Sequence, residues 1–338
     1  MRRKRSTLAD VARLAGVSAV TVSRALRRPD MVSPKLQERI KAAVRELAYV
    51  PDIAASRLAS ARTHTIGVIV SSLTNGVFAD YINALHDTLL PAGFQVLILS
   101  TRYSAEEEEK AIATMLGQHP EAIIIVGIDQ SPHARRLLQE SGVPVVQTFQ
   151  LTDDPIDVNI GLDQRAAAKA ATNLLIASGH RRIGAIGSRL DARARVRVEG
   201  YRAAMQQAGL LDEGLIATTP TQTNVMAGRE LIGRLIDEGK KPDAVFCCDD
   251  LMALGALFEC LKREIKVPKA MSIIGFNDLE FAAAATPPLA TVVTPRYEMG
   301  ERAAKTVMRM IETGERPAER RIDLGFTLER RGSIADRR

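Results

Sequence analysis

The sequence predicts an α/β protein with a small helical domain at its N-terminus followed by two doubly wound lobes. Three observations predict this class. The first fifty residues carry apolar side chains at helical spacing in three short groups. From Thr65 onward the apolar runs TIGVIV, FQVLIL, AIIIV, PVVQT, RIGAIG, AVFCC and SIIGF alternate with helical stretches such as 78–90 and 165–178. The length, 338 residues, also exceeds one domain at about 100–200 residues each. Continuous apolar runs suit strands buried on both faces, and crossover helices between them make the sheets parallel. A ligand of such lobes belongs beyond the carboxyl ends of the strands, in the cleft between them.

The elements of the first domain follow from local chemistry. Thr7 with Asp10 three residues later resembles a capping box, and Leu8, Val11, Ala12 and Ala15 share one helical face. Gly16 supplies left-handed backbone, Val17 fills the turn, and Ser18 is placed to cap a second helix that carries Val22 and Leu26 inward. A third helix starts with Ser33 as cap and Pro34 at its first position, and buries Leu36, Ile40, Val44 and Leu47. Two short helices around a glycine turn have helix-turn-helix spacing.

Charge separates this domain from the rest. Residues 1–62 hold 14 Lys or Arg and 5 Asp or Glu, a net of +9, while the other residues hold 32 and 35, a net of −3. Basic residues on a folded domain are the footprint of nucleic-acid binding, because each cation near a phosphate releases a condensed counterion. Ala19, Val20, Thr21, Ser23 and Arg24 lie on the early part of the second helix, where a recognition helix enters the major groove. Arg reads guanine bidentately, Ser and Thr bond phosphates or base edges, and Val contacts a thymine methyl.

Other function classes find little support. Aromatic residues make up 4% of the chain and Trp is absent, which disfavours single-strand binding by base stacking. No GxxxxGK[ST] loop, GxSxG elbow, HExxH or CxxC occurs, and the five His are scattered, so neither an enzyme nor a metal or cofactor site is expected. Glu106–Glu109 reads as the solvated start of a helix. Cys247, Cys248 and Cys260 read as reduced, buried small hydrophobes. No apolar run approaches the ~18 residues of a membrane span, so no membrane role and a cytoplasmic, nucleoid-associated location are expected.

The run from Thr7 to Ala59 resembles the DNA-binding headpiece and hinge of the LacI family of bacterial transcription regulators. Asp10-Val11-Ala12, Ala15-Gly16-Val17-Ser18, Thr21-Val22-Ser23-Arg24, Val32-Ser33 and Tyr49-Val50-Pro51 carry the resemblance. It implies a headpiece over 1–50 and a hinge helix over 51–62. Two such hinges would fold together in the minor groove, with Leu58 as an apolar wedge and Ala55 beside it. The implied DNA-contacting residues add Thr7, Ser18, Arg27, Ser33 and Tyr49 to those on the second helix. Ala19 and Val20 occupy the positions at which the family varies its operator choice.

The resemblance continues through the chain and implies a periplasmic-binding-protein-like core. Its N-terminal lobe would span 63–161 and 290–323, and its C-terminal lobe 162–289 and 324–338, with crossings near Gly161, Leu289 and Asp323. Polar residues just beyond strand ends then become ligand candidates: Ser72 and Asn75 after the first run, Arg189 and Arg193, and the residues after AVFCC and SIIGF, with Gln147 for ligand hydroxyls and Phe78 to cover an apolar face. Arg197 falls on the family's ligand-clamping arginine, and Asp249 and Asn277 on two polyol-binding positions. The family usually has Asn at the first and Asp at the second, so an exchange is expected that keeps one carboxylate and one amide on opposite walls. Four cations, Arg189, Arg193, Arg195 and Arg197, fall within nine residues, either as a solvated or salt-bridged arginine face or as the pairing side for an anionic ligand.

The runs SLTNGVFAD, RLDARARVRVEGY and LGFTLERRGSI are similar to the gluconate-operon repressor branch of the family. This implies a repressor of sugar-acid genes that binds a pseudo-palindromic operator as a homodimer and is released by D-gluconate or a phosphorylated or lactone relative. The tail after Leu328 lacks the heptads of a tetramerising helix. A regulator of another sugar, a co-repressed regulator, and a sugar-binding protein with no regulatory role are the alternatives.

Overall fold

A computed structural model describes residues 6–27, 29–50 and 62–338, with the side chains of Arg27 and Pro29 outside the described set. The chain separates into two compact units, Met1–Thr63 and His64–Arg338.

In the first unit, α1 (Leu8–Ala15), α2 (Ala19–Arg27) and α3 (Pro34–Glu46) surround a core of Val11, Ala12, Ala15, Val22, Ile40 and Ala43. The capping box forms: Thr7 Oγ1 accepts from the Asp10 amide at 3.3 Å, and the Asp10 carboxylate accepts from the Thr7 amide at 3.0 Å. Gly16 has φ +63°, and Arg39 reaches over it to donate to the Ala15 carbonyl at 2.7 Å, so the turn is locked to α3. Ser18 Oγ accepts from the Thr21 amide at 3.1 Å and caps α2 as expected. Two expectations change. Leu26 is 37% exposed, because α2 is short and its last turn runs past the small core. Ser33 stands at the cap position of α3 without a side-chain bond; Pro34, with φ preset for helix, starts that helix instead. Leu36, Val44 and Leu47 are only partly buried, at the margin of the cluster.

The second unit holds two six-stranded sheets. Strands β1 (Thr65–Val70), β2 (Gln95–Ser100), β3 (Ala122–Val126), β4 (Val145–Gln150), β5 (Val158–Leu162) and β11 (Arg321–Asp323) form the first, in the order β11-β5-β4-β3-β1-β2. Strands β6 (Ile183–Ser188), β7 (Ile216–Thr219), β8 (Ala244–Cys247), β9 (Ser272–Asn277), β10 (Ala290–Val293) and β12 (Thr327–Glu329) form the second, in the order β12-β10-β9-β8-β6-β7. All neighbours are parallel except β12, which runs antiparallel to β10.

Helices cover both faces of each sheet. In the first lobe these are α4 (Ala79–Leu89), α5 (Ala105–Gly117), α6 (Pro132–Glu140) and α12 (Arg296–Thr313); in the second, α7 (Gln164–Ala177), α8 (Ala192–Gln207), α9 (Val225–Asp237), α10 (Asp250–Lys262) and the short α11 (Glu280–Ala284). One apolar cluster runs through both lobes, from Tyr81, Leu85 and Met299 to Ala171, Tyr201 and Phe246. Sheet membership moves one boundary. Strand β10 pairs with β9 in the second sheet, so the chain returns to the first lobe after Val293 and not at Leu289. The other changes of sheet follow Leu162 and Asp323.

Helices α9 and α10 touch through backbone. A Cβ on Gly255 would lie 2.0 Å from the Val225 carbonyl oxygen, which no rotamer can relieve. Gly255→Ala therefore lowers unfolding free energy by about 1–3 kcal/mol. Gly117→Ala, with nothing within 4 Å of the added Cβ, leaves it unchanged or raises it by up to ~1 kcal/mol. Urea unfolding of the two variants checks both signs.

Candidate functional site

On the first unit, α2 presents Ala19, Val20 and Arg24 to solvent, with Val20 68% exposed and Thr21 and Ser23 half-buried beside them. An exposed Val beside an exposed Arg on a capped helix offers a thymine-methyl contact and a guanine hydrogen-bond donor on one face. Thr7 is occupied by the capping box, Ser18 by the α2 cap and a 2.8 Å bond to Thr21 Oγ1, and Tyr49 packs against the core. Ser33 is exposed. Ala55 and Leu58 lie outside the described residues, as does the Arg27 side chain.

In the second unit, the site is organised by two buried arginines one turn apart on α8. Asp191 caps the helix by accepting from the Arg193 amide at 2.9 Å, and its carboxylate also holds the Arg193 guanidinium through Nε and Nη2, both at 3.0 Å. The guanidinium lies over the rings of Phe78 and Phe149 at 5.2 and 5.3 Å. Burial pulls the Arg193 pKa down, but the Asp191 charge and hydrogen bonds outweigh it, so the pKa ends raised and that of Asp191 lowered. Arg197 donates from Nε to Gln164 Oε1 at 2.8 Å and from Nη1 to the Cys248 carbonyl at 2.6 Å, and stacks on Phe276 at 3.7 Å. Its hydrogen-bond partners are neutral acceptors, and burial lowers its pKa.

Asp249 caps α10 by accepting from the Leu251 amide at 2.8 Å, and Asn277 Nδ2 donates to its other oxygen at 3.1 Å. These two residues therefore stand side by side at the ends of β8 and β9, on one wall and not on opposite walls as the exchange suggested. Parallel neighbouring strands end on the same edge, so the two positions are adjacent. Burial pushes Asp249 up to about 6, against the Leu251 amide, the Arg197 charge and a hydrogen bond from Asn75. Asn75 lies close to Asp249 and Tyr103, and its Oδ1 accepts from the Val77 amide at 3.1 Å.

The remaining expected residues separate. Ser72 is buried, and its Oγ accepts from the Thr74 and Asn75 amides at 3.1 and 3.3 Å, which shapes the loop carrying Asn75. Phe78 is a core residue beneath Arg193. Gln147 does not join the site: its Nε2 donates to Gln130 at 2.7 Å and its Oε1 accepts from the Ile156 amide at 2.9 Å. These bonds hold it away from the arginines, while φ +76° at Phe149 turns that residue toward Arg193. Arg189 is exposed and lines the cleft.

A cavity of about 330 Å³ opens between the lobes. Its C-terminal wall holds Arg189, Asp191, Arg193 and Arg195, and its N-terminal wall holds Ser71, Thr101, Tyr103, Glu108 and Asp129. Tyr103, Glu108 and Asp129 carry no signal in the sequence that would place them there. Burial and the nearby Asp129 push the Glu108 carboxyl up to about 7, and burial with Asp191 pushes the Tyr103 hydroxyl up to about 12. Among the described residues no group of His, Cys, Asp or Glu is arranged to hold a metal ion, and no helix is long and apolar enough to cross a membrane.

A helix-turn-helix unit in one chain with a two-lobed core, one wall of whose cleft is rich in arginine, defines a ligand-responsive DNA-binding regulator. Residues 7–52 match the model of bacterial regulatory proteins of the lacI family, and 172–334 match a periplasmic binding protein-like domain. The chain is 41% identical to the HTH-type transcriptional regulator GntR of Pseudomonas aeruginosa, over 97% of this chain and 96% of that protein. It is 36% identical to GntR of Escherichia coli K12, over 99% of this chain and all (100%) of that protein. Among solved structures, the lac repressor dimer bound to operator and the anti-inducer ONPF superposes with a TM-score of 0.83 at 25% identity, covering 98% of this chain and 100% of that one. The chain belongs to the lacI family of bacterial regulatory proteins and is a DNA-binding transcriptional repressor.

Two arginines on the cleft wall respond differently to removal. Arg193→Ala strands the partly buried Asp191 carboxylate and lowers unfolding free energy by about 1–3 kcal/mol. Arg195→Ala, at an exposed position, changes it by no more than about 0.5 kcal/mol. Chemical denaturation of both variants at neutral pH checks the contrast.

Proposed function

We propose that the protein represses genes for the use of a sugar acid, binds a pseudo-palindromic operator as a homodimer, and leaves it when D-gluconate or a close relative binds between the lobes. The observation that carries this reading is the cation-rich wall of the interlobe cavity, with Arg189 and Arg195 exposed on it and Arg197 buried behind it. A guanidinium pairs bidentately with a carboxylate, and the neighbouring Asp249, Asn277 and Asn75 suit hydroxyl groups. Arg197 Nε and Nη1 are committed to Gln164 and Cys248, which leaves Nη2 for the acid group. The likeness of SLTNGVFAD, RLDARARVRVEGY and LGFTLERRGSI to the gluconate-operon branch supports the same ligand class.

On the DNA side, Ala19, Val20, Thr21, Ser23 and Arg24 read the major groove, and hinge residues 51–62 enter the minor groove with Leu58 as the wedge. Effector binding favours a lobe arrangement in which the paired hinges no longer fit the operator. Such coupling amounts to about 1–3 kcal/mol.

Fluorescence anisotropy on the promoter nearest the protein's own coding region tests this. D-gluconate should release the protein, and D-glucose should not. Release by a neutral sugar, or tighter DNA binding with gluconate, would overturn the reading. Arg197→Ala should weaken gluconate at least about tenfold, the effect of one charge-assisted hydrogen bond. Arg24→Ala should cut discrimination between operator and random duplex by about 1–3 kcal/mol at fixed salt. Equal losses on both duplexes would leave Arg24 as a phosphate contact.

A further inference from the structure

We propose that Glu108 and Asp129 form a charge filter on the N-terminal wall of the cavity, which admits polyhydroxy acids carrying one negative charge, rejects those carrying more, and takes up a proton at Glu108 as the anion enters. This rests on the sugar-acid reading and narrows it to a charge class.

The cavity is lined by Arg189, Arg193 and Arg195 and by Asp191, Glu108 and Asp129, so with every group ionised the lining is neutral. Arg193 and Asp191 form a closed bidentate pair. What remains is Arg189 and Arg195 on one wall against Glu108 and Asp129 on the other. Arg195 is held by neutral acceptors, donating to the carbonyls of Arg189 and Leu190 at 2.7 and 3.5 Å. Among the described residues, neither Glu108 nor Asp129 is in a salt bridge. An anion entering a neutral cavity adds an uncompensated charge, which a partly buried site disfavours. One proton on a carboxyl makes the lining +1, which matches a single negative charge and leaves a second one unmatched.

Glu108 is the carboxyl placed to take that proton. It is half-buried on α5, faces Asp129 from the β3–α6 loop and Tyr103 from the loop after β2, and has Glu109 and Gln130 nearby. Arg189 and Arg195 are the cations on the opposite wall. Burial and Asp129 bring Glu108 to about 7, and an anion in the cavity raises it further. Below about pH 7 Glu108 is already protonated and affinity is flat, while above it affinity falls by up to about tenfold per pH unit. Asp249, at about 6, is ionised over that upper range. Asp250, pushed by burial to about 7, is bonded to Leu279 and Thr291 inside the second lobe, and comparison with a Glu108 variant subtracts it.

The test is calorimetry of the full-length protein with D-gluconate and with phosphogluconate, from about pH 6 to about pH 8.5, in buffers of different protonation enthalpy. Wild type should bind gluconate at least about tenfold tighter than phosphogluconate and take up close to one proton at the upper pH. Glu108→Gln, which fixes the lining at +1, should keep gluconate binding and the preference over phosphogluconate while losing the pH slope and the proton uptake. Glu109→Gln, at a carboxylate bonded to Ser131 and outside the cavity, should behave as wild type. A slope that survives in Glu108→Gln, or tighter binding of phosphogluconate by wild type, overturns the charge filter and leaves the gluconate reading standing. Failure of wild type to bind either acid overturns both.

Discussion

Two guanidinium groups buried one turn apart at the start of α8 impose the constraint around which the binding core is arranged. Cations in the first turns of a helix oppose its dipole, and burial removes their hydration. Each is therefore compensated, and the compensation draws on both lobes. Arg193 takes the Asp191 carboxylate from the cap of its own helix and the ring faces of Phe78 and Phe149 from the first lobe. Arg197 takes the Cys248 carbonyl and the face of Phe276 from the second lobe. Gln164, which follows the crossing strand β5, accepts from Arg197 and donates to the Phe149 carbonyl at 2.7 Å. The arginines thus sit where movement of one lobe against the other must alter their surroundings.

That placement joins ligand chemistry to conformation. A ligand shifts an equilibrium only through its difference in affinity for the two states. A carboxylate that engages Arg197 competes with the neutral acceptors now holding it, and one that engages the exposed Arg189 and Arg195 spans toward Glu108 and Asp129 on the other lobe. Either contact has a different strength in an open cleft and a closed one.

Local signals are the legible ones in this sequence. Thr7 with Asp10, Gly16 and Ser18 each act through neighbours within a few residues, so their spacing is enough to place α1 and α2. Long apolar runs such as TIGVIV and SIIGF mark buried strands, whereas β5, β7, β10, β11 and β12 are three to five residues long and carry little pattern. Without β10 a lobe boundary falls in the wrong place. Arg193 and Arg197 stand out by composition, but their partners do not, because Gln164, Cys248 and Phe276 reach them only through the sheet order. Glu108 reads as part of a solvated acidic helix start, since nothing nearby in sequence reveals that Asp129 and the arginine wall face it. Gln147 is hidden for a related reason: a left-handed residue at Phe149 changes which side chain turns to the cleft.

In this account the cleft and the DNA-reading helix answer to one equilibrium. Calorimetric titration of D-gluconate into the protein, alone and saturated with operator duplex, measures this most directly. Linkage requires operator to weaken gluconate by the same factor by which gluconate weakens operator, about 5- to 150-fold for typical coupling. An affinity for gluconate that is unchanged by operator, or strengthened by it, would contradict the account.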